Sequence, residues 1–462
     1  MNDHELSRRA GVGRVAAPVR LVHLGLGNFF RAHQAWYTEH APDAPEWGIA
    51  AFTGRSRRLP ELLDPQDGLY TLVTRAADGD RFEVIGSLSR ACPGVDHDSW
   101  LRLLGSPEVV AVTVTVTEAG YFRGPDGGLD RDRPEVRDDV AALRRDLTAS
   151  VQTAPARLLA GIAARRRADA GPLTLVPCDN LAGNGQIAAR VVRDVAELVD
   201  PGLIDWMSDH VSTVTTEVDR ITPRADPHDL RVVAEATGRD DRAPVATEPF
   251  SEWVLSGSFP GGRPRWEEAG ATFTADITPY EHRKLWLLNG AHSLLAYAGS
   301  IRGHTTVAEA IGDDTCRRWV RQWWSDASPH LDQPAADIQA YCDALVERFA
   351  NPRMHHRLEQ IAADGSQKLA ERILPVLRAQ RSAGRMPRGA VLVLAAWVCH
   401  LRGQGAPVHD ARADEVVPRA SGPLRDAVPR VLASLDRALG DDDALVAAVL
   451  ADVDRFQRQG VR

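Results

Sequence analysis

The sequence predicts an α/β protein in which a doubly wound, largely parallel sheet is followed by a mostly α-helical domain. Two observations carry that prediction. Through roughly the first 275 residues, short runs rich in Val, Ile, Leu and Thr alternate with helical stretches, as parallel strands joined by crossover helices do. Beyond Ala275 the strand signals nearly vanish, and helical stretches follow one another, punctuated by Pro, Gly and Asp. Two domains are therefore expected, residues 1–275 and 276–462, and 462 residues at 44% hydrophobic content suffice for two cores.

Val19–Leu24 reads as a strand leading through a glycine turn into a helix over Phe30–Glu39. Gly48–Phe52 is a second strand, Val109–Val116 a third, and Leu173–Cys178 a fourth, followed by a helix over Asn184–Val199. Ser212–Val218 is a fifth strand. In the second part, Glu281–Ser300, Thr306–Ala327, Ala335–Phe349, Met354–Ala363, Gln367–Ala379, Arg388–Leu401, Pro423–Leu439 and Asp443–Arg458 read as helices.

Composition narrows the function classes. A formal charge of -8, with arginines interspersed among acids as in Asp130-Arg131-Asp132-Arg133, gives no support for a nucleic-acid partner. The five cysteines are scattered without a C-x-x-C pair, which argues against a disulfide framework or a structural zinc and for a reducing compartment. Met1–Pro18 lacks the apolar core of an export signal, and the longest apolar run, Ala390–Cys399, is too short to span a bilayer. A cytoplasmic protein off the membrane is expected. No long apolar stripe demands a partner, so a monomer or a weak homo-oligomer is expected too.

The first strand runs into His23-Leu24-Gly25-Leu26-Gly27-Asn28-Phe29-Phe30-Arg31. In a strand–turn–helix context this brings backbone N–H groups to a place where a pyrophosphate can bind, Gly25 permitting the tight turn and Gly27 the close approach. The sheet is thus Rossmann-like, although Phe30 stands where the third glycine of G-x-G-x-x-G belongs, and a ligand-free turn would look similar. An NAD-preferring site usually carries Asp or Glu at the end of the second strand. Here Thr53-Gly54-Arg55-Ser56-Arg57-Arg58 has none. Arg55 and its neighbours could receive a 2′-phosphate or be ordinary loop charges, so NAD and NADP both stay open.

Tyr280–His292 is the most informative stretch. It sets Lys284, Asn289 and His292 at spacings of five and eight residues in an apolar, helix-prone run. On an α-helix, at about 100° per residue, Asn289 lies about 140° round from Lys284 and His292 about 80°, so one cleft wall can present all three. A lysine among Leu285, Leu287 and Leu288 is partly desolvated, which favours its use as a base. A buried helix with a snorkelling lysine and a core histidine is the competing reading. Three further polar segments follow predicted strands, where ligands of open α/β sheets bind: Thr117-Glu118-Ala119-Gly120-Tyr121, Cys178-Asp179-Asn180 through Gly185, and Val218-Asp219-Arg220-Ile221-Thr222-Pro223. Each alone would pass as an ordinary loop.

Taken together and in order, G-x-G-N-F-F-R-A-H-Q, T-E-x-G-Y, C-D-N-x-x-x-N-G, V-D-R-I-T-P, T-E-P-F-x-x-W and K-x-x-x-x-N-x-x-H resemble the mannitol dehydrogenase family of polyol-specific long-chain dehydrogenases. The resemblance runs from about Leu21 to Pro375; past it, only the helical character is similar. It implies metal-independent hydride transfer between a secondary alcohol and NAD(P)+. By matching positions, Lys284 would be the acid/base, and Asn180 and Asn289 would donate to the developing alkoxide, such donors contributing about 3 kcal/mol each in other enzymes. His292 would orient the substrate, Asp219 would be its polar partner, and Glu281 would line a proton route. No zinc-ligand set is evident, which leaves lysine as the best base.

The run His356-Arg357 through Gln360-Ile361 to Asp364-Gly365-Ser366-Gln367-Lys368-Leu369 looks closer to the family's fructuronate reductases than to its mannitol dehydrogenases. A hexonate carries a carboxylate with which Arg357 or Lys368 could pair, Lys368 matching a lysine near the sugar chain. An exposed helix face is the alternative for His355, His356 and Arg357. Three readings follow: a D-mannonate/D-fructuronate oxidoreductase, a polyol dehydrogenase such as a mannitol 2-dehydrogenase, or a nucleotide-binding sensor without turnover.

Overall fold

The computed structural model describes residues 4–224 and 226–459. The chain divides into two compact units, Met1–Ile277 and Thr278–Arg462.

The first unit contains β1 (Val19–Leu24), β2 (Gly48–Phe52), β3 (Tyr70–Ala76), β4 (Gly79–Ile85), β5 (Leu88–Cys92) and β6 (Ala111–Val114), then β7 (Leu173–Pro177), β8 (Val211–Thr213), β9 (Thr215–Asp219), β10 (Val245–Thr247), β11 (Glu252–Ser256) and β12 (Thr272–Phe273). Six of these strands form a parallel sheet in the order β5-β2-β1-β6-β7-β8. Alternate residues enter cores on opposite faces: Val22, Leu24, Ala50 and Phe52 on one side, Leu21, Ile49 and Ala51 on the other. This two-sided burial explains the near-continuous apolar strands. Strand order reverses between β1 and β6, the switch point at which such sheets open a ligand crevice.

Two smaller sheets were not foreseen, β10-β3-β4 and β12-β11-β9. They also split the expected Ser212–Val218 strand. The Val214 N–H donates to Leu175 (2.9 Å), after which the chain leaves the main sheet and β9 pairs antiparallel with β11. The expected Phe30–Glu39 helix is two pieces, Asn28–Ala32 and Gln34–His40, broken at His33 (φ -122°, ψ -87°), whose Nε2 donates to the Glu252 carbonyl (2.9 Å).

The second unit is helical. Ala335–Phe349 and Arg388–Leu401 form as expected, and every residue from Gly389 to Leu401 is buried. Thr306–Ala327 instead breaks at Asp313, whose carboxylate caps Asp314–Ala327. Among the described residues, no helix is long and apolar enough to cross a membrane.

Candidate active site

At the switch point, the glycine turn is dictated by its neighbours. Gly25 has φ +117°, and a Cβ there would lie 1.9 Å from the Thr115 carbonyl oxygen, so β6 leaves room for glycine alone. Gly27 differs: a Cβ on it would meet only Gly25 O, at 3.5 Å. Among the described residues, nothing else fills that space. Phe30, in place of the third glycine, stacks on His23 at 3.6 Å. The His23 ring nitrogens face the Thr113 and Thr115 hydroxyls (2.8 and 3.0 Å), and burial pushes its pKa down to about 3.

Three of the expected cofactor contacts also engage the protein itself. Arg31 is fully buried, its guanidinium donating to Gly27 O, Asn28 Oδ1 and the Ala243 carbonyl. Through these bonds it buttresses the glycine turn. Asn28 also donates to Pro223 O (3.4 Å), and half-buried Phe29 stacks on His33. Arg55 is exposed on the loop after β2, beside no acid of that loop.

The strand-end motifs are held together by one another. Asp179, buried, accepts from the Thr117 N–H (2.6 Å) and the Tyr121 hydroxyl (2.7 Å), joining the T-E-x-G-Y and C-D-N segments. Burial raises its pKa while those donors oppose the rise. Thr117 sits at φ +68°, ψ 164°, a region almost confined to glycine, so strain is stored at the end of β6. Asn184 donates to the Asp179 and Thr216 carbonyls (3.0 and 2.8 Å), spanning β7 to β9. Arg220 donates to the Ala32 and Glu248 carbonyls, and Glu248 Oε1 accepts from the Ile221 N–H (2.7 Å). This scaffold presents Asn180, exposed just beyond β7, and Asp219, the buried last residue of β9.

In the second unit, the expected α-helix around Lys284 is something else. Thr278–Arg283 is α-helical, Lys284–Asn289 is π-helical, and Gly290–Leu294 returns to α. The Gly290 N–H donates to the Leu285 carbonyl, an i→i+5 bond. In a π-turn residue i+5 takes the place that i+4 holds in an α-helix, so Asn289 comes over Lys284 instead of about 140° away. The widened turn has a tertiary cause. Trp323 Nε1 donates to Trp286 O (2.7 Å) and Trp324 Nε1 to Leu287 O (2.9 Å), while a Cβ on Gly290 would lie 2.5 Å from Trp323 Nε1. Lys284 is buried, Asn289 half-buried, and Glu281 half-buried one turn earlier.

His292 is buried, with its Nε2 unpartnered. Burial, then His356, Arg372 and Arg348, hold its pKa well below the usual histidine range. Arg372 donates to Asn289 O (3.4 Å) and Ser293 Oγ (3.2 Å), tying the π-turn to the following helix.

His355–Arg357 is no exposed helix face. A short turn over Pro352–Met354 ends at His355 in the left-handed region (φ +46°), and an isolated bridge between Thr306 and Arg357 fixes the next residues. His355 and Arg357 are exposed, but His356 turns inward, its ring edge-on to His292 at 5.0 Å. No sign of the inward turn of His356 stands in the sequence, because the left-handed residue that aims it is not a glycine. Lys368 Nζ donates to the Ile361 and Ala363 carbonyls (3.3 and 2.5 Å), and burial, then Arg372, lowers its pKa.

Two other features hold none of the expected site residues. His304, Asp313 and Cys316 could together offer three atoms to a metal ion, but Arg302 Nε and His304 Nε2 already bond to Asp313 Oδ2 (2.7 and 3.1 Å). A cleft of about 630 Å³ is lined by Trp324, Ile338 and Cys342 among others.

Comparison with known proteins gives the family. Residues 19–268 match the mannitol dehydrogenase Rossmann domain, and residues 276–457 match the mannitol dehydrogenase C-terminal domain, so the likeness continues well past Pro375. Escherichia coli D-mannonate oxidoreductase is 36% identical over 394 residues, 83% of this chain and 80% of that protein. Mannitol 2-dehydrogenase of Cereibacter sphaeroides is 34% identical over 397 residues, 84% of this chain and 82% of that protein. The solved ternary complex of Pseudomonas fluorescens mannitol 2-dehydrogenase with NAD and D-mannitol superposes with a TM-score of 0.80 at 32% identity, covering 96% of this chain and 93% of that one. The chain belongs to the mannitol dehydrogenase family of oxidoreductases.

Proposed function

We propose that this protein is an NAD(P)-dependent D-mannonate/D-fructuronate oxidoreductase, with the first unit binding the dinucleotide and the second the hexonate. The observation that carries the proposal is the π-turn, which brings Asn289 over buried Lys284 one helical turn before His292. A base and a hydrogen-bond donor at that spacing suit a reaction that removes a hydroxyl proton while negative charge gathers on the same oxygen.

Gly25, Gly27 and the backbone after β1 would hold the dinucleotide, and Arg55 stands at the ribose end. A bound nicotinamide would supply the hydride acceptor for the alcohol carbon. Lys284 Nζ takes the hydroxyl proton, and Glu281, one turn away, passes it outward. Asn289 donates through its amide to the substrate oxygen, a role that family resemblance gives to Asn180 as well. His292 orients the sugar chain, and Asp219 serves as a polar partner at the end of β9. Lys368, turned onto two carbonyls, shapes the pocket wall more than it meets the substrate.

The hexonate reading is supported by the H-R-x-x-Q-I-A-x-D-G-S-Q-K-L run and by the cations around His292. A polyol substrate is the second reading, favoured by the likeness to the mannitol-bound structure. The test is a spectrophotometric screen of mannonate, altronate, mannitol, sorbitol and arabinitol with NAD+ and with NADP+. The proposal expects mannonate to give the highest kcat/KM. Preference for an uncharged polyol would overturn the substrate, and cofactor binding without oxidation of any alcohol would overturn the activity.

A further inference from the structure

We propose that His356 is a substrate-binding residue that pairs with His292 to receive the carboxylate of an open-chain hexonate. The inference rests on the hexonate reading above and deepens it, since Arg357 is exposed and Lys368 already donates to two carbonyls.

The first ground is unmet hydrogen-bonding capacity. His292 Nε2 and His356 Nδ1 are both buried without a partner, on rings 5.0 Å apart and nearly perpendicular (82°). A buried imidazole nitrogen left unpaired is costly, by about 1–3 kcal/mol, so two on adjoining rings mark a place where a ligand completes the bonding. Each neutral imidazole can turn an N–H toward an acceptor, its tautomer following the ligand.

The second ground is rigidity. Phe349 packs against His292 at 4.7 Å. His356 is fixed through its own backbone, its carbonyl accepting from the Val307 N–H (2.9 Å), with the Leu358 N–H on Thr305 O (3.0 Å). The left-handed His355 sets the ring's direction. The two rings therefore form a preformed donor pair rather than a mobile one.

The third ground is charge. Besides burial, the groups that hold the His292 pKa down are His356 and the guanidinium groups of Arg372 and Arg348. The carboxylates nearest Lys368 point elsewhere: Asp410 accepts from Ser366 N (2.8 Å) and Asp364 from Ala411 N (3.0 Å). Arg357, the obvious candidate from sequence, is exposed, and the Lys368 ammonium sits on carbonyls of its own segment. A carboxylate accepting two N–H bonds beside two guanidinium groups is the ligand chemistry this corner fits.

The test is steady-state oxidation of D-mannonate and D-mannitol by wild type, His356→Asn and His356→Phe, the last keeping the ring volume. NADH fluorescence titration reports whether the first unit is intact. Loss of one bond to a charged group should raise the mannonate KM about 10- to 150-fold, with kcat and the mannitol KM changed little. A comparison within the wild type, needing no variant, is D-mannonate against uncharged D-mannonamide, which should bind at least tenfold more weakly. If the wild type prefers mannonate but both variants keep its KM, His356 has no such role while the proposed function stands. Equal rises for mannonate and mannitol would also overturn the carboxylate assignment. A wild type that oxidises polyols and no hexonate would sink the underlying reading and this inference with it.

Discussion

Substituting Gly290 by alanine probes the link between packing and chemistry most sharply. The added methyl would lie 2.5 Å from Trp323 Nε1 and 2.7 Å from Cε2, inside any real carbon contact. Trp323 must then move, and its bond to the Trp286 carbonyl (2.7 Å) is lost. Overpacking costs about 1–3 kcal/mol and the hydrogen bond about 0.5–1.5 kcal/mol. Alanine returns about 1 kcal/mol, because glycine is the poorer helix former. The net loss is about 0.5–3.5 kcal/mol, which for a unit of this size lowers Tm by roughly 1–14 °C. The effect on catalysis should be larger. If the π-turn relaxes to an α-turn, Asn289 rotates by about 100° relative to Lys284, and a misplacement of that order removes roughly 100-fold in kcat. Calorimetry with steady-state kinetics reads both effects. A double-mutant cycle with Trp323→Phe, which vacates the space, should show a favourable coupling of at least about 1 kcal/mol. A Gly290→Ala enzyme with wild-type Tm and kcat would refute the tertiary origin of the π-turn and its role.

Other consequences are as direct. Thr117→Gly should relieve backbone strain at φ +68° and raise the stability of the first unit by about 1 kcal/mol, within the range for such residues; urea unfolding checks it, and a destabilised variant contradicts the strain. Gly25→Ala cannot avoid the Thr115 carbonyl, so NADH binding measured by fluorescence should be lost, and retention would show that the turn adapts. His23, His356 and His400 have pKa values lowered by burial to about 3, 4 and 4. Their folded values lie below the unfolded value of about 6.5, so the unfolded chain takes up protons first as pH falls. Stability is full above about pH 6.5 and declines toward pH 4, by up to about 1.4 kcal/mol per pH unit per histidine. Urea midpoints at pH 7 and 5 should show the fall, His400→Phe should make it shallower, and a flat profile would contradict the buried neutral state.

What could be read in advance, and what could not, divides along local and tertiary causes. Gly48–Phe52, Asn184–Val199 and Arg388–Leu401 were legible because period and composition act within the element itself. The Lys284 helix was legible as a helix, but its π-turn depends on Trp323 and Trp324, which lie more than thirty residues away and carry no local signal. The same holds for the break at Val214, where the chain changes sheets because Asn184 braces Thr216 from another element. Arg31 lies within a motif that suggests phosphate contact, yet its guanidinium turns inward onto the turn it supports. Motif residues such as Asp179 and Glu248 proved to hold the motifs to one another, a role visible only once Thr117 and Ile221 are seen beside them.

The central claim is that Lys284 is the acid/base of an alcohol oxidation. The direct measurement is the rate of NADH formation from D-mannonate by Lys284→Ala under saturating cofactor, with NADH affinity measured in parallel. The account predicts a loss of about 10²–10⁴-fold in kcat, the usual worth of a positioned proton acceptor, with NADH affinity unchanged. A Lys284→Ala enzyme that turns over at the wild-type rate would contradict it.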